Sequence, residues 1–465
     1  MANAKIVFLG AGSIRYTLLL FLDICKTPGL LDSSVFLMDI DPEKLDAVHR
    51  LSQKIVQETG INLRVESTTS LQKALEGADF VINTILAKGE GHEDGYVQYE
   101  IIREIGEKHG YYRGIDSQEF NMVSDYYTIT NYYQLNTSLE IARVIEKICP
   151  KAYLIQTANP VLEITQLVLR QTKARIIGFC HGYAHVKDVA EALGLDFSLV
   201  DWQVAGINHG IWLNRFRCEG RDAYELLDKW IEEKSSQWQP KDAWDVQLSP
   251  AAIDMYRFYG MLPIGDTPRN GTWKYHYDLE TKKRWYGKFG GIDNEIERPK
   301  FYGELRLLRK QLLALSKDDS VKLSKIFPEY FDMGKLSGEQ QIPFINAILN
   351  NKPSRLILNI LNNGIIEGLP DDLVVEVPCM VDANGIHPEK IDPPLTRRIV
   401  KYFILPRIMR MEMALEAFIN GDKMVLEEFL IRDPRTKSYE QVRAVLDEIM
   451  NLPFNRRMKE HYKWC

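Results

Sequence analysis

The sequence predicts an α/β protein in which a doubly wound parallel sheet is followed by a mixed α+β domain. Short apolar runs alternate with amphipathic segments over the first 200 residues, and a glycine-rich turn follows the first run. Beyond about residue 200 the alternation becomes irregular. Regular alternation is typical of a parallel sheet with helices on both faces. We therefore expect one domain over residues 1–200 and a second over residues 201–465.

The elements follow in order along the chain. Five short apolar runs predict strands, at residues 6–9, 35–38, 80–84, 153–157 and 175–179. Amphipathic periodicity predicts helices between them, for example at residues 16–24, 42–58 and 135–148. The second domain is expected to hold strands at residues 204–207 and 211–213, helices at 302–315 and 396–420, and a glycine-rich loop at 287–297.

Composition excludes several classes of partner. The 465 residues carry a net charge of -6, so nothing in the charge indicates binding to nucleic acid or to an anionic membrane. No apolar run approaches the roughly 20 residues of a membrane span, and no signal peptide is visible, so we expect a cytoplasmic protein. The six cysteines are scattered, which argues against a disulfide framework.

The glycine-rich turn predicts a dinucleotide site of the Rossmann type. Gly10, Gly12, Ser13 and Ile14 lie between the first strand and the first helix, where a pyrophosphate can approach the backbone and the free N–H groups of a helix. Asp39 ends the second strand and would accept hydrogen bonds from ribose hydroxyls, which favours NAD over NADP. Two departures are Arg15, in place of the third glycine of the usual pattern, and the long spacing to Asp39.

Two further strand ends carry polar residues. Asn83 and Thr84 end a strand at the edge where such sheets bind ligands, so we expect a cofactor contact, although a turn that simply needs Asn fits too. Asn159 precedes Pro160, which restricts it to extended geometry and can hold its amide toward a cleft. An ordinary Asn-Pro turn explains the same pattern.

Cys180 and His209 are candidate ligands of one divalent metal ion. Cys180 follows a predicted strand, and His209 lies in the segment Gly-Ile-Asn-His-Gly. A thiolate and an imidazole would leave coordination positions open for substrate oxygens. The alternative is a buried cysteine and a hydrogen-bonded histidine with structural roles.

Taken together, these segments resemble the family 4 glycoside hydrolases, which are NAD- and manganese-dependent glycosidases. The resemblance extends over most of the chain. Besides the glycine turn, the matching segments are residues 111–116, 159–160, 180–182, 208–209, 263–267, 369–371 and 375–378.

The resemblance implies a fold like that of lactate and malate dehydrogenases, with bound NAD and with Mn²⁺ or another divalent metal held by Cys180 and His209. It also implies a small carbohydrate substrate and a homodimer or homotetramer. The implied reaction is an exception to two-carboxylate glycoside hydrolysis. NAD⁺ oxidises C3 of the sugar, a base removes the C2 proton, the aglycone leaves from C1, water adds, and the hydride returns to C3.

The resemblance also suggests roles for individual residues. Asp266 is expected to be the base at C2, with Tyr259 as a nearby candidate, and His181 is expected to assist departure of the aglycone. The residues expected to bind the substrate are Asn159, Arg113 and Asp116, which would position sugar hydroxyls.

Substrate preference follows from the residue after the cysteine. Members that act on phosphorylated sugars typically carry Asp or Asn where this chain has His181, so the segment Cys-His-Gly resembles the α-glucuronidases, with α-galacturonidases and α-glucosidases close behind. Arg113 or Arg269 would bind the carboxylate of a hexuronate, and either could equally be a structural ion-pair partner. Two other readings of the glycine turn stay open, a hydroxy-acid dehydrogenase and a non-catalytic NAD-binding regulator.

Overall fold

The computed structural model describes residues 3–91, 95–114 and 132–464. Asp116, which the sequence predicts to bind substrate, lies outside these residues. Within them, all strands belong to one sheet. The strands are β1 (Lys5–Leu9), β2 (Ser34–Met38), β3 (Arg64–Thr68), β4 (Phe80–Asn83), β5 (Tyr153–Gln156), β6 (Arg175–Phe179), β7 (Val200–Ile207), β8 (Gly210–Cys218), β9 (Arg221–Asp222), β10 (Leu262–Ile264), β11 (Ser354–Leu361), β12 (Val374–Asp382) and β13 (Gly385–Pro388).

The first six strands confirm the predicted doubly wound sheet. They are parallel and lie in the order β3-β2-β1-β4-β5-β6, which is the strand order of dinucleotide-binding folds. The sequence analysis missed β3, because its residues Arg-Val-Glu-Ser-Thr are polar and lie at an edge where none of them is fully buried.

The second half confirms the predicted mixed α+β arrangement, and it continues the same sheet. β11 pairs antiparallel with β6, and the order then runs β11-β12-β7-β8-β10 with antiparallel neighbours. The two halves of the chain therefore share a hydrogen-bonded sheet rather than a flexible connection.

Helices cover the sheet and complete the core. The α-helices of the described residues are α1 (Ile14–Cys25), α2 (Pro42–Thr59), α3 (Leu71–Leu75), α4 (Gly95–Lys108), α5 (Tyr132–Ile148), α6 (Val161–Gln171), α7 (His185–Ala192), α8 (Tyr224–Lys234), α9 (Pro250–Tyr259), α10 (Leu279–Tyr286), α11 (Glu297–Ser316), α12 (Leu323–Ile326), α13 (Gln341–Asn350), α14 (Arg397–Ile399), α15 (Leu405–Asn420), α16 (Lys423–Ile431), α17 (Tyr439–Met450) and α18 (Arg456–His461). None of them is long and apolar enough to cross a membrane.

Local signals place several of these helices. Asp41 caps α2 by accepting the N–H groups of Glu43 and Lys44, and Gly60 ends the helix in a left-handed conformation. The predicted helix at residues 396–420 is observed as α14 and α15 joined by a π-helical stretch, Val400–Ile404.

Parallel pairing aligns the carboxyl ends of four strands at one edge of the sheet. Leu9 of β1 pairs with Asn83 of β4, Asn83 with Gln156 of β5, and Gln156 with Gly178 of β6. The segments that follow these strands therefore lie side by side. They carry the glycine turn, Thr84, Asn159 and Cys180.

Candidate active site

A cavity of about 360 Å³ lies at this edge of the sheet. Both halves of the chain contribute to its wall. The residues that line it include Ser13, Thr84, Asn159, Cys180, His181, His209, Asp266 and Arg269, all of which the sequence analysis singled out. Ser13 and Arg269, which are 256 positions apart in the chain, therefore share one wall.

The glycine turn is shaped by close contacts to Asp39. The Gly12 N–H donates to Oδ2 of Asp39 at 2.7 Å, and a Cβ atom on Gly12 would lie 2.6 Å from the same oxygen. Only glycine fits here without displacing the carboxylate. Ile14 is buried at the start of α1, and the Ser13 side chain makes no capping hydrogen bond. This geometry fits a pyrophosphate at the turn and a ribose near Asp39.

Asn83 and Thr84 have different surroundings in the structure. Asn83 is buried, its side-chain amide donates to Oε1 of Gln156 at 2.8 Å, and its Oδ1 accepts the N–H of Ile85 at 3.2 Å. Its side chain therefore serves the sheet edge itself. Thr84 lines the cavity, and its hydroxyl donates to the carbonyl oxygens of Leu9 and Gly10 at 3.0 Å.

Cys180, His209 and Asp266 form a cluster of three metal-ligating side chains. One ligand atom from each lies within 4.8 Å of the other two, and Nε2 of His209 is 3.3 Å from Oδ2 of Asp266. Thiolate, imidazole and carboxylate together suit a divalent transition metal. The sequence analysis predicted the first two ligands. Asp266 joins them as a third residue of the cluster.

Two backbone contacts bring the cluster together. β10 pairs with β8 at Ile264 and Ile211, which places Asp266 beside the turn that carries His209. Gly265 has φ 67°, and a Cβ atom there would lie 2.7 Å from the Cα of Gly182. The segments that carry Cys180 and Asp266 therefore approach each other closely because residue 265 is glycine.

The turn that carries His209 is held by hydrogen bonds. His209 has φ 57°, and its carbonyl oxygen accepts the side-chain amide of Asn270 at 2.8 Å. The Thr267 hydroxyl accepts the N–H of Ile211 at 2.8 Å and donates to its carbonyl oxygen at 2.9 Å. Supporting contacts of this kind fix the orientation of metal ligands.

The protein environment sets the protonation of the three groups. Burial raises the pKa of the Cys180 thiol well above its ordinary value, and the carboxylates of Glu376 and Asp266 raise it further. Burial lowers the pKa of His209. Burial also opposes ionisation of Asp266, but the charges of Arg269 and His209 outweigh it and leave the pKa below its ordinary value. A bound cation would stabilise the thiolate, so this donor set fits a divalent ion.

Arg269 pairs with two carboxylates at the cavity wall. Its Nε is 2.7 Å from Oδ2 of Asp293 and its Nη2 is 3.0 Å from Oδ1, and a further hydrogen bond joins it to Asp266. Its side chain is almost fully buried. The sequence left open whether Arg269 binds the substrate or forms a structural ion pair. The ion pair is observed, and Arg269 also lines the cavity.

His181 faces the cavity and is supported by a residue that the sequence analysis missed. Its side chain is 67% exposed, and its Nδ1 lies 3.4 Å from Oε1 of Glu339. The hydrogen bond to Glu339 raises the pKa of His181 to about 8. Tyr16 donates to the other oxygen of Glu339 at 3.1 Å. Glu339 lies in a polar loop before α13, where no local pattern signals a role.

Glu376 is a second residue to which the sequence assigned no role. It is fully buried on β12 and accepts the side-chain amides of Asn208 at 2.9 Å and Asn359 at 3.3 Å. Burial raises the pKa of Glu376 to about 7. Because Asn208 precedes His209, this carboxyl group supports the turn that carries His209. One signal was available, a lone acid within the apolar run of β12.

Of the described residues predicted to act in catalysis or to bind the substrate, two do not line the cavity. Tyr259 ends α9 and packs against Trp212 and Phe403, with ring centroids 4.8 and 5.8 Å away. Arg113 is buried, and its Nη1 lies 3.7 Å from Oε1 of Glu107. Tyr259 thus packs into the interior at the end of α9, and Arg113, which follows α4, is buried beside Glu107 of that helix. Their roles toward the substrate stay predictions that this placement does not favour.

Comparison with known proteins agrees with this site. A family model described as "Family 4 glycosyl hydrolase" matches residues 5–195, and its C-terminal domain model matches residues 204–436. A Bacillus subtilis protein named "Probable 6-phospho-beta-glucosidase" is 26% identical over 464 residues, which cover 96% of this chain and 95% of that protein. A B. subtilis alpha-galactosidase is 25% identical and covers 83% of this chain and 82% of its own.

A solved structure shares the fold. A 6-phospho-alpha-glucosidase from gut microorganisms, crystallised with NAD and Mn²⁺, has a TM-score of 0.74 and 17% sequence identity over 96% of this chain and 97% of its own. The two family models together cover nearly the whole chain, including the glycine turn and the Cys180–His209–Asp266 cluster. The chain therefore belongs to the family 4 glycosyl hydrolases.

Proposed function

We propose that the protein hydrolyses α-glycosides with the help of NAD and Mn²⁺ or another divalent metal. The observation that carries this proposal is the shared cavity, because the glycine turn and the Cys180–His209–Asp266 cluster both open into it. The relative named alpha-galactosidase supports the α configuration. A 6-phospho-alpha-glucosidase of the same fold holds both cofactors.

Separate parts of the wall would hold the two cofactors. NAD would lie at Gly10, Gly12, Ser13 and Thr84 with its ribose at Asp39, and the cation would lie at the cluster. When bound, NAD supplies reversible hydride transfer and the cation polarises a substrate carbonyl. The side chains of the chain itself orient the sugar, hold protons and shield the site from bulk water.

Asp266 fits the role of third metal ligand better than that of base at C2. One of its oxygens accepts a hydrogen bond from Arg269, and the other lies 3.3 Å from Nε2 of His209. Both oxygens are therefore directed into the cluster and its supporting arginine. The assignment of the base to Asp266 stays a prediction that this geometry does not favour.

His181 is suited to protonate the departing aglycone oxygen. It lines the cavity next to Cys180, its ring is open to solvent, and Glu339 stabilises its charged form. Asn159 lies on the same wall, is joined to Pro160 by a cis peptide bond and is placed to contact a sugar hydroxyl.

Among α-glycosides we propose α-glucuronides as the preferred substrates, with α-galacturonides and α-glucosides as alternatives. Support comes from His181, in place of the Asp or Asn expected for phosphorylated sugars, and from the Arg269 guanidinium on the wall. An anionic C6 group would pair with that cation.

A glycoside panel tests the proposal. Nitrophenyl α- and β-glycosides of glucuronic acid, galacturonic acid, glucose and galactose are assayed with NAD⁺, Mn²⁺ and a thiol reductant. We expect turnover of one or more α-glycosides that disappears without NAD⁺ or after chelation of the metal. Undiminished turnover after removal of both would exclude the proposal, and net formation of NADH from a small hydroxy acid would indicate a dehydrogenase instead.

The state of assembly is predicted from the resemblance alone, and the location and the domain bounds are predicted from the sequence. A homodimer or homotetramer is the predicted state, which light scattering of the purified protein measures. The cytoplasm is the predicted location, and residues 1–200 and 201–465 are the predicted domains.

A further inference from the structure

An aromatic surface at the mouth of the cavity has no role in the reaction described so far. Trp244 and Phe301 both line the cavity, and their ring centroids are 5.3 Å apart at an interplanar angle of 76°. Trp244 is 40% exposed, which is unusual for the largest apolar side chain. Phe301 is half-buried on α11.

The loop that carries Trp244 is tied to the metal cluster. Gln247 accepts the N–H of Gly265 at 3.0 Å and donates to its carbonyl oxygen at 2.7 Å, and Gly265 immediately precedes Asp266. The carboxylate of Asp242 accepts the N–H of Trp244 at 2.8 Å. The indole is therefore held by a prearranged loop, which lowers the entropy cost of binding a ligand against it.

Only one side chain separates the indole from the cluster. The guanidinium carbon of Arg269 lies 4.9 Å from the centroid of the Trp244 ring, and the same guanidinium donates to Asp266. Exposure then distinguishes the two ends of the cavity. His209 is buried in the cluster, whereas Trp244 and His181 are exposed, as is Ser13 of the glycine turn.

We propose that Trp244 and Phe301 form the subsite for the aglycone, and that its ligand is a six-membered ring, either a second pyranose or an aryl group. This inference rests on the proposed function. The polar groups of the sugar to be cleaved belong at the cluster, and the leaving group belongs on the solvent side beside His181. Aromatic rings stack on the apolar C–H face of a pyranose and on aryl rings alike.

Kinetics with three aglycones on one sugar tests the subsite. For the α-glycoside that the enzyme accepts, methyl, p-nitrophenyl and glucosyl aglycones are compared in the wild type, Trp244→Ala, Trp244→Phe and the control Tyr402→Ala, an exposed aromatic outside the cavity. We expect Trp244→Ala to raise KM about 10-fold for the two ring aglycones and less than 2-fold for methyl. Trp244→Phe should retain most of the ring preference.

Equal changes in KM for all three aglycones would overturn the proposal. A rise in KM for only one of the two ring aglycones identifies that ring as the class of aglycone that the subsite binds.

A binding measurement separates this proposal from the proposed function. Saturation-transfer NMR of the p-nitrophenyl glycoside reports which ligand protons touch the protein. The enzyme is loaded with NAD and kept free of metal, so that the glycoside is not hydrolysed and no paramagnetic Mn²⁺ broadens its signals. We expect strong signals from the aryl protons in the wild type and their selective loss in Trp244→Ala. Absence of aryl signals in the wild type overturns the subsite even if the methyl glycoside is hydrolysed. Aryl signals without hydrolysis of any glycoside support the subsite and contradict the proposed function.

Discussion

Cys180 is subject to opposing influences that a metal ion would resolve. Burial and two nearby carboxylates raise the pKa of its thiol, so the protein alone keeps the proton on the sulfur. A cation shared with His209 and Asp266 would favour the thiolate instead. At the scale of single residues, function therefore depends on groups whose protonation and metal binding are coupled.

Replacing Cys180 should remove the metal site without unfolding the protein. For Cys180→Ser we expect Mn²⁺ affinity, measured by electron paramagnetic resonance, to fall at least 10-fold, because a serine hydroxyl is a poor ligand in place of a thiolate. Cys218→Ser is the matched control, a half-buried cysteine outside the cluster. Unchanged Mn²⁺ affinity in Cys180→Ser would show that the cluster does not bind the ion.

Replacing Asp39 should change the choice of dinucleotide. The carboxylate accepts the N–H groups of Gly12 and Asp41 at 2.7 and 2.9 Å and would repel a 2′-phosphate. For Asp39→Ser we expect the Kd for NAD to rise about 10-fold and the preference over NADP to shrink, as measured by fluorescence titration. Asp32→Ser, at an exposed site, is the control. A preference for NAD that survives the change would exclude Asp39 as the ribose partner.

At the scale of elements, the site depends on how turns pack against each other. The β7–β8 turn presents His209, and the segment after β10 presents Asp266. Thr267 bridges them through two hydrogen bonds to Ile211, while Gly265 allows the close approach to the segment that carries Cys180. The strands set the register, and the turns set the positions of the ligands.

Removing this bridge should weaken both the fold and the metal site. Thr267→Val keeps the shape of the side chain but leaves the buried N–H and carbonyl of Ile211 without their partner, which costs about 1–3 kcal/mol. We expect a lower Tm and weaker Mn²⁺ binding in the same variant, measured by thermal unfolding and by titration. Thr272→Val, at an exposed position, should change neither. Full Mn²⁺ affinity at reduced Tm would assign Thr267 to stability alone.

At the scale of the whole molecule, buried charges join distant parts of the chain. Arg435 donates to the carbonyl oxygens of Tyr112 and Gly114 at 2.8 and 2.7 Å and pairs with Asp433 at 2.7 Å. Asp433 lies 3.4 Å from Arg410 on α15. The C-terminal helices are thereby attached to the first half of the chain, in addition to the shared sheet.

The Asp433 carboxylate should stabilise the protein in a pH-dependent manner. Burial opposes its ionisation, but the hydrogen bond and charge of Arg435 and the charge of Arg410 prevail and lower its pKa. A lowered pKa contributes stability above the unfolded value, and that contribution disappears as the pH falls through the folded value. For Asp433→Asn we expect a loss of about 3–5 kcal/mol at pH 7, because two buried arginines lose their counter-charge.

Thermal unfolding at several pH values checks this expectation. The difference in Tm between the wild type and Asp433→Asn should be large at neutral pH and should narrow in acid. Asp371→Asn, at an exposed site, is the control. A difference that stays constant with pH would contradict the assignment to this carboxylate.

The parallel half of the fold was predictable because its signals are local. Each signal is contained in a few neighbouring residues. Examples are the buried apolar run Ile6–Leu9, the glycines of the turn and the helix caps. The polar edge strand β3 escaped detection because it has no buried face. Cys180 and His209 were recognisable as ligand types beside strand ends.

The sequence alone predicts the doubly wound sheet, the dinucleotide turn and two members, Cys180 and His209, of the cluster of candidate metal ligands. The tertiary structure was needed to show that Asp266 completes their cluster, that Glu339 pairs with His181 and Glu376 with Asn208, and that Tyr259 packs away from the cavity. The reason is physical. Periodicity and turn chemistry act between neighbours in the chain, whereas a site is formed by strand register and side-chain packing between residues far apart in it.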